Sequence, residues 1–202
     1  MKYIALAPLA ALIASAPAFA AEFSGPSVEA HVAWDRVNAK LGDATGSLKG
    51  HDNGVAYGAG VGYDVRRGNV VFGLDANVDD ASTKECVAAG SERLCANAGR
   101  DLSVGGRVGF VVAPRTLVYA KLAYTNVRIG VSYTDSRVPA DNFSGHDDRD
   151  GYRVGGGIEF ALTAKAFVKA EYRYSDYKDY QESGARLGLS RHQVLGAVGF
   201  RF

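Results

Sequence analysis

Residues 55–65 read Val55-Ala56-Tyr57-Gly58-Ala59-Gly60-Val61-Gly62-Tyr63-Asp64-Val65. The odd positions carry Val, Tyr and a single Ala, while the even positions carry only Ala, Gly and Asp. A period of two sends successive side chains to opposite faces of a strand, so this stretch predicts a β-strand with one apolar face and one face of small and acidic residues. The small residues leave room on their side for long side chains arriving from elsewhere. Whatever fold contains this strand must therefore bring other polar groups to its polar face.

The same alternation recurs outward from this stretch in both directions. Upstream, Val28, Ala30, Val32 and Trp34 alternate with Glu29, His31, Ala33 and Asp35. Downstream, segments 70–79, 101–110, 118–125, 152–160, 168–175 and 191–202 repeat the pattern, with Asp75, Arg107, Lys121, Arg153, Glu159, Lys169, Glu171, Arg173 and Arg201 all on the polar parity. In the fifth segment the parity slips beyond Asn126, which predicts a bulge there or a strand leaving the membrane. The pattern thus predicts eight strands of about ten residues each.

The connections decide what kind of sheet this is. Residues 66–69, 113–115 and 161–165 form short turns, whereas 39–53, 80–99, 134–150 and 178–188 are long and polar. Short and long connections alternate strictly. A soluble sandwich has no reason for that alternation, but an outer-membrane barrel has tight periplasmic turns at one rim and extended external loops at the other. The expected fold is all-β, an eight-stranded antiparallel up-and-down transmembrane β-barrel with both termini on the periplasmic side. The apolar parity then faces lipid and the charged parity faces the lumen.

Composition agrees with this reading once the two faces are separated. The chain of 202 residues is 47% hydrophobic with 23 basic and 22 acidic residues, and its mean hydropathy is −0.08. After the first twenty residues no apolar run approaches the 18 or so needed for a transmembrane helix. The balanced charge lacks the basic stripe of a nucleic-acid binder. Residues 1–20 have Lys2, an apolar core and the small-x-small ending Ala18-Phe19-Ala20, which predicts a cleaved signal peptide followed by a barrel domain over 21–202. Export to an oxidising compartment makes a disulfide between Cys86 and Cys95 the expected state of the two cysteines, stiffening the second long loop by about 2–3 kcal/mol of chain entropy.

An eight-stranded barrel is just wide enough for its own side chains. The inward cations Arg107, Lys121, Arg153, Lys169, Arg173 and Arg201 nearly balance the inward anions Glu29, Asp35, Asp64, Asp75, Asp101, Glu159 and Glu171. Buried ions of both signs are expected to pair, because an unpaired one is costly. The lumen is therefore predicted to be a polar plug of ion pairs, with His31 hydrogen-bonded inside it. Outward aromatics fall towards strand ends, Tyr63, Phe72, Phe110 and Phe160 near the short turns and Trp34, Tyr152 and Tyr174 nearer the loops, as two interfacial girdles would.

Other candidate chemistry is weaker. Ser190 and His192 lie two apart on the outward face of the last strand, in the reverse of the His-x-Ser order of lipid A deacylase barrels and without a third group. His51 and His146 sit beside aspartates, but their spacing does not match a calcium loop. Gly155-Gly156-Gly157 is not a phosphate loop, since no helix follows it. No cofactor and no enzymatic activity are expected.

These residues together resemble the small outer-membrane β-barrels of Gram-negative bacteria, the OmpA-like transmembrane domain with its porin-family and opacity-type relatives. The resemblance runs over the mature chain and is most specific at the end, where Val198, Phe200 and the final Phe202 resemble the signal read by the barrel-assembly machinery. It implies residence in the cell outer membrane, contact with membrane lipid and lipopolysaccharide, and a structural and surface-contact role (adhesin or opacity type) in which external loops meet a host or surface ligand. A small porin-like channel is the alternative it implies, and a lipid-A-modifying enzyme a remote one.

Overall fold

The computed structural model describes residues 23–43, 46–81, 84–89, 92–135, 143–182 and 185–202. The leader expected at 1–20 lies outside them. The order is β1 (Gly25–Asp43), β2 (Gly46–Arg67), β3 (Val70–Ala81), β4 (Lys84–Ala89), β5 (Glu92–Ala113), β6 (Thr116–Asp135), β7 (Phe143–Ala161), β8 (Ala166–Glu182) and β9 (Ala185–Arg201). Every pairing is antiparallel, and β3–β5 and β1–β9 contacts close β1, β2, β3, β5, β6, β7, β8 and β9 into a ring. This is a closed eight-stranded antiparallel β-barrel. The ninth element, β4, is a flap paired to the outer half of β5.

Following paired residues once round the ring, from Gly54 through Asp35, Gln193, Arg173, Gly155, Lys121, Arg107 and Gly73, returns to β2 at Asp64, ten residues along from the start. Such a stagger tilts the strands and fixes the bore. Alternate residues behave as the parity predicts. Val61, Leu74, Leu122 and Val198 are 59–71% exposed on the outside, while Asp35, Asp101, Arg153, Glu159 and Arg173 are wholly buried within. The aromatics Trp34, Tyr63, Phe72, Phe110, Tyr152 and Phe160 all stand exposed on the outer face, and Tyr174 is half-buried there.

Three tight connections lie at one rim: Gly68–Asn69, Pro114–Arg115 and residues 162–165. Gly68 takes φ +63°, a left-handed conformation that suits glycine in a two-residue hairpin turn. At the other rim the structure corrects two expectations. Segments 39–53, 80–99, 134–150 and 178–188 are mostly strand, so the strands run 12 to 22 residues in the barrel instead of about ten. These segments are polar in sequence and carry no period-two apolar alternation, so they read as loop. Of the two readings of the parity slip past Asn126, a bulge or a strand leaving the membrane, the bulge is present but in the neighbouring strand: Gly99 and Arg100 of β5 stand opposite Arg128 alone.

Not all of the interior is polar. Phe23, Val71, Leu117, Tyr119 and Ala161 form a buried apolar cluster, with Phe167 also buried, at the tight-turn end of the lumen. Phe23 precedes the first strand and is completely enclosed, so the start of the described chain seals that end from within.

Candidate functional site

Among the described residues the lumen is the densest collection of charged side chains, and the register explains who meets whom. Just above the apolar floor, Asp64 of β2 and Glu159 of β7 face Arg107 of β5 and Arg201 of β9. Arg107 donates to Asp64 through Nε (2.9 Å) and Nη2 (2.5 Å) and to Glu159 through Nη1 (3.0 Å). Arg201 Nη2 donates to both carboxylates, at 2.9 and 3.0 Å. Gly73 makes this quartet possible, because a Cβ there would collide with the Asp64 carboxylate and the Arg107 stem. Below it, the Arg201 guanidinium lies 5.8 Å from the Phe23 ring centre and 5.1 Å from that of Phe167.

One tier higher, Lys169 pairs with Glu29 at 2.5 Å and lies 3.8 Å from Glu171, Lys121 pairs with Asp75, and Glu171 accepts from Arg173 Nε and from the Tyr119 hydroxyl, the latter at 2.5 Å. Then comes His31, whose Nε2 is hydrogen-bonded to Asp79. Towards the hairpins, Arg191 clasps Asp35 with Nε (2.7 Å) and Nη2 (2.6 Å) and reaches Asp101 at 3.0 Å. Asp101 also accepts from Arg153 Nη2 (2.5 Å) and Thr125 Oγ1 (2.6 Å). These ion pairs fall into three groups: the quartet of Arg107, Arg201, Asp64 and Glu159, the Lys121–Asp75 pair, and a larger cluster that runs from Glu29 and Lys169 through Glu171, Arg173 and Asp79 to Arg153, Asp101, Arg191 and Asp35.

Arg191 and Asp79 complete the larger cluster and were not among the expected set. Both carry the inward parity of their strands, but both adjoin the polar segments that look like loop. Between these tiers, Arg173 and Arg153 approach Asp79 at 3.6 Å, within ion-pair range but beyond hydrogen-bond length.

The outer face above the aromatic row has its own polar contacts. Tyr124 donates to Asp150, and Tyr152 donates to Asp176 at 2.9 Å. Arg128 of β6 holds Asp148 of β7 through Nε (2.9 Å) and Nη2 (3.1 Å). That hydrogen bond from the guanidinium keeps the exposed Asp148 carboxyl below its ordinary pKa. The folded value is depressed, so the contribution of this pair to the β6–β7 hairpin is present above the ordinary carboxylate range and is lost as the pH falls through the folded value. An NMR titration should find the Asp148 midpoint below that of Asp148 in Arg128→Ala; equal midpoints would show the pair to be absent in solution.

His192 does not meet Ser190 as a base meets a nucleophile. Its Nδ1 is hydrogen-bonded to the Tyr172 hydroxyl at 2.7 Å and its ring packs 4.9 Å from that of Tyr174, with no Ser190–His192 hydrogen bond among the described residues. Neither His51 nor His146 joins a group of three possible metal ligands among the described residues. The strands place Cys86 directly opposite Cys95 in register; their side chains lie outside the described set. Phe200 and Phe202 stand on the outer face with rings 5.2 Å apart, edge to face.

A sequence profile for the outer membrane protein beta-barrel domain matches residues 4–202. The 22 kDa outer membrane protein of Rhizobium leguminosarum bv. viciae is 31% identical over 149 residues, 70% of this chain and 63% of that protein, so the chain spans less than two thirds of that relative. The 31 kDa outer-membrane immunogenic protein of Brucella melitensis is 27% identical over 170 residues, 78% of this chain and 70% of that protein. Among solved structures, Neisserial surface protein A superposes with a TM-score of 0.53 at 18% identity, covering 89% of this chain and 98% of that one. At that identity the likeness is one of fold.

Proposed function

Since the chain belongs to the outer membrane protein β-barrel domain family, we propose that it is a structural surface barrel whose lumen is closed to solutes and whose hairpins make the contacts. It is an outer membrane β-barrel protein; in this reading both termini lie in the periplasm and the hairpin rim faces outward. The observation that carries the reading is the filled lumen. Four guanidinium and carboxylate groups cross-link β2, β5, β7 and β9 just above an apolar floor, and Asp101 alone gathers Arg153, Arg191 and Thr125. Opening a path would separate buried charges from their partners, which is costly in a low-dielectric interior. The purified barrel in planar bilayers or swelling liposomes should therefore pass no steady current and no small sugars. Stepwise conductance would turn the reading towards the porin-like alternative.

Surface exposure of the hairpins is supported by the Brucella relative, which is described as immunogenic. The outward apolar belt between aromatic rows suits lipid, with lipopolysaccharide around the hairpin side. The Val198, Phe200 and Phe202 triplet serves assembly, presented to the barrel-assembly machinery on the outer face. The Cys86–Cys95 disulfide locks the β4–β5 flap: residues directly opposite in an antiparallel pair have Cα atoms about 4.5–5.5 Å apart, within the range a disulfide spans. Non-reducing peptide mapping should recover the linked pair, and Cys86→Ser with Cys95→Ser should speed protease nicking between 84 and 97 while leaving the barrel's heat-modifiable gel shift intact. Free thiols in the exported protein would dispose of the disulfide.

A further inference from the structure

The apolar outer face has a recess that opens beside a charged rim. Leu74 of β3 and Leu122 of β6 both pair with Gly106 of β5, and all three lie on the outer face. Gly106 has no side chain, so the two exposed leucines stand on either side of bare backbone. One row nearer the tight turns, Phe72 pairs with Val108 and Val108 with Ala120, where a small residue recurs. The result is an apolar groove of about 620 Å³ across β2, β3, β5 and β6, with Tyr63 on its β2 side. Packing does not demand the glycine: a Cβ at 106 would meet Gly73 O at 3.6 Å and Leu74 Cδ2 at 3.9 Å, both ordinary contacts. What the missing side chain leaves is the groove.

The rim beside the groove is basic. Val65 lines the groove, and Arg67 stands exposed two residues further along the same strand, a step of about 7 Å. Arg67 shares a paired row with Val70 and Phe110, so its guanidinium stands at the level of the lower aromatic row, where headgroups begin. On the opposite flank, Arg115 lies in the turn between β5 and β6. Arg67 and Arg115 make no ion pair among the described residues. The tight connections 66–69, 113–116 and 162–165 contain Arg66, Arg67, Arg115 and Lys165 and no acidic residue. At the other rim the balance is reversed, with twelve acidic to eight basic residues over 39–53, 80–99, 134–150 and 178–188.

We propose that the groove over Gly106 and the basic turns beside it hold an anionic phospholipid of the periplasmic leaflet, with an acyl chain between Leu74 and Leu122 and the phosphate at Arg67 and Arg115. A guanidinium offers paired N–H donors that match phosphate oxygens, and basic residues beside a membrane face select anionic headgroups. The apolar walls disfavour a purely ionic ligand. A second copy of this chain inserted in the same direction would set cation against cation at this rim. The inference rests on the proposed orientation, with the hairpin rim outward, and adds to it a preference for one class of lipid.

The test uses the protein purified from outer membranes, native mass spectrometry in mild detergent, and two probes with identical acyl chains, phosphatidylglycerol and phosphatidylethanolamine. Phosphatidylglycerol should be retained at least fivefold more tightly. Arg67→Gln with Arg115→Gln should lose that preference, and Gly106→Leu, whose side chain fills the groove, should weaken retention at least fivefold; both variants are checked for the heat-modifiable gel shift. Phosphatidylglycerol with a diazirine on its acyl chain should label β3 or β6 near Leu74 and Leu122. Equal retention of the two lipids, unchanged binding by Gly106→Leu, labelling confined to other strands, or displacement by an equal concentration of inorganic phosphate overturns the proposal. Orientation is read separately: an impermeant maleimide should reach Asn69→Cys, in a Cys86→Ser, Cys95→Ser background, only after the outer membrane is opened. Labelling on intact cells would overturn the orientation and the lipid site together, whereas failure of the lipid measurements alone leaves the surface-barrel reading standing.

Discussion

Replacing Arg107 by methionine is expected to destabilise the barrel by about 3–5 kcal/mol, because breaking a buried ion pair from one side leaves the other side uncompensated. Arg107 supplies three of the five hydrogen bonds that hold Asp64 and Glu159, and only Arg201 would remain to share between two enclosed carboxylates. The measurement is urea unfolding in micelles or liposomes, with stability taken from the linear extrapolation. Removing a carboxylate as well, in Arg107→Met with Glu159→Gln, should recover a large part of the loss, since the quartet is then short of one cation and one anion together. An unfolding midpoint unmoved by Arg107→Met would mean that the network is solvated. The same variant tests the lumen as a barrier: steady conductance appearing in Arg107→Met but not in the unaltered protein would assign the seal to this quartet.

The second large effect is expected on the opposite face. Leu122 stands 63% exposed and is paired across β5 and β7 with Gly106 and Val154, between the two aromatic rows. An arginine there must enter hydrocarbon, at a cost of up to about 2–4 kcal/mol towards the midplane, whereas at the interface the same change costs about 0–1 kcal/mol. Leu122→Arg should accordingly lower stability far more than Tyr124→Arg, one step up the same strand. Equal small effects at the two positions would argue that this face meets water.

These two sites also show how much was legible before any coordinates. A single parity separates Leu122 from Arg107, and lipid on one side with a crowded bore on the other makes that parity unambiguous over eight segments. Partnership was a different matter. Arg107 meets Asp64 and Glu159 only because the stagger of ten residues brings β2 and β7 to its level, and register is a property of pairs of strands that no single strand encodes. Arg191 and Asp79 carried the right parity but adjoined polar segments whose sequence lacks the alternation that marks a strand. Phe23 had no pattern to reveal it, being a lone aromatic ahead of the first strand. Its burial follows from the space left inside the tight-turn rim.

The length of the strands has a consequence for where recognition takes place. At about 3.4 Å per residue, the 22 residues of β5 extend about 75 Å, and even with the tilt of about 35–45° usual in such barrels they climb about 55 Å along the axis. The hydrocarbon band uses about 25 Å of that height. In the proposed orientation, with the hairpin rim outward, the remaining half stands clear of the membrane on the cell surface, so antibodies and phage too bulky to penetrate a dense polysaccharide brush should still find the hairpin tips.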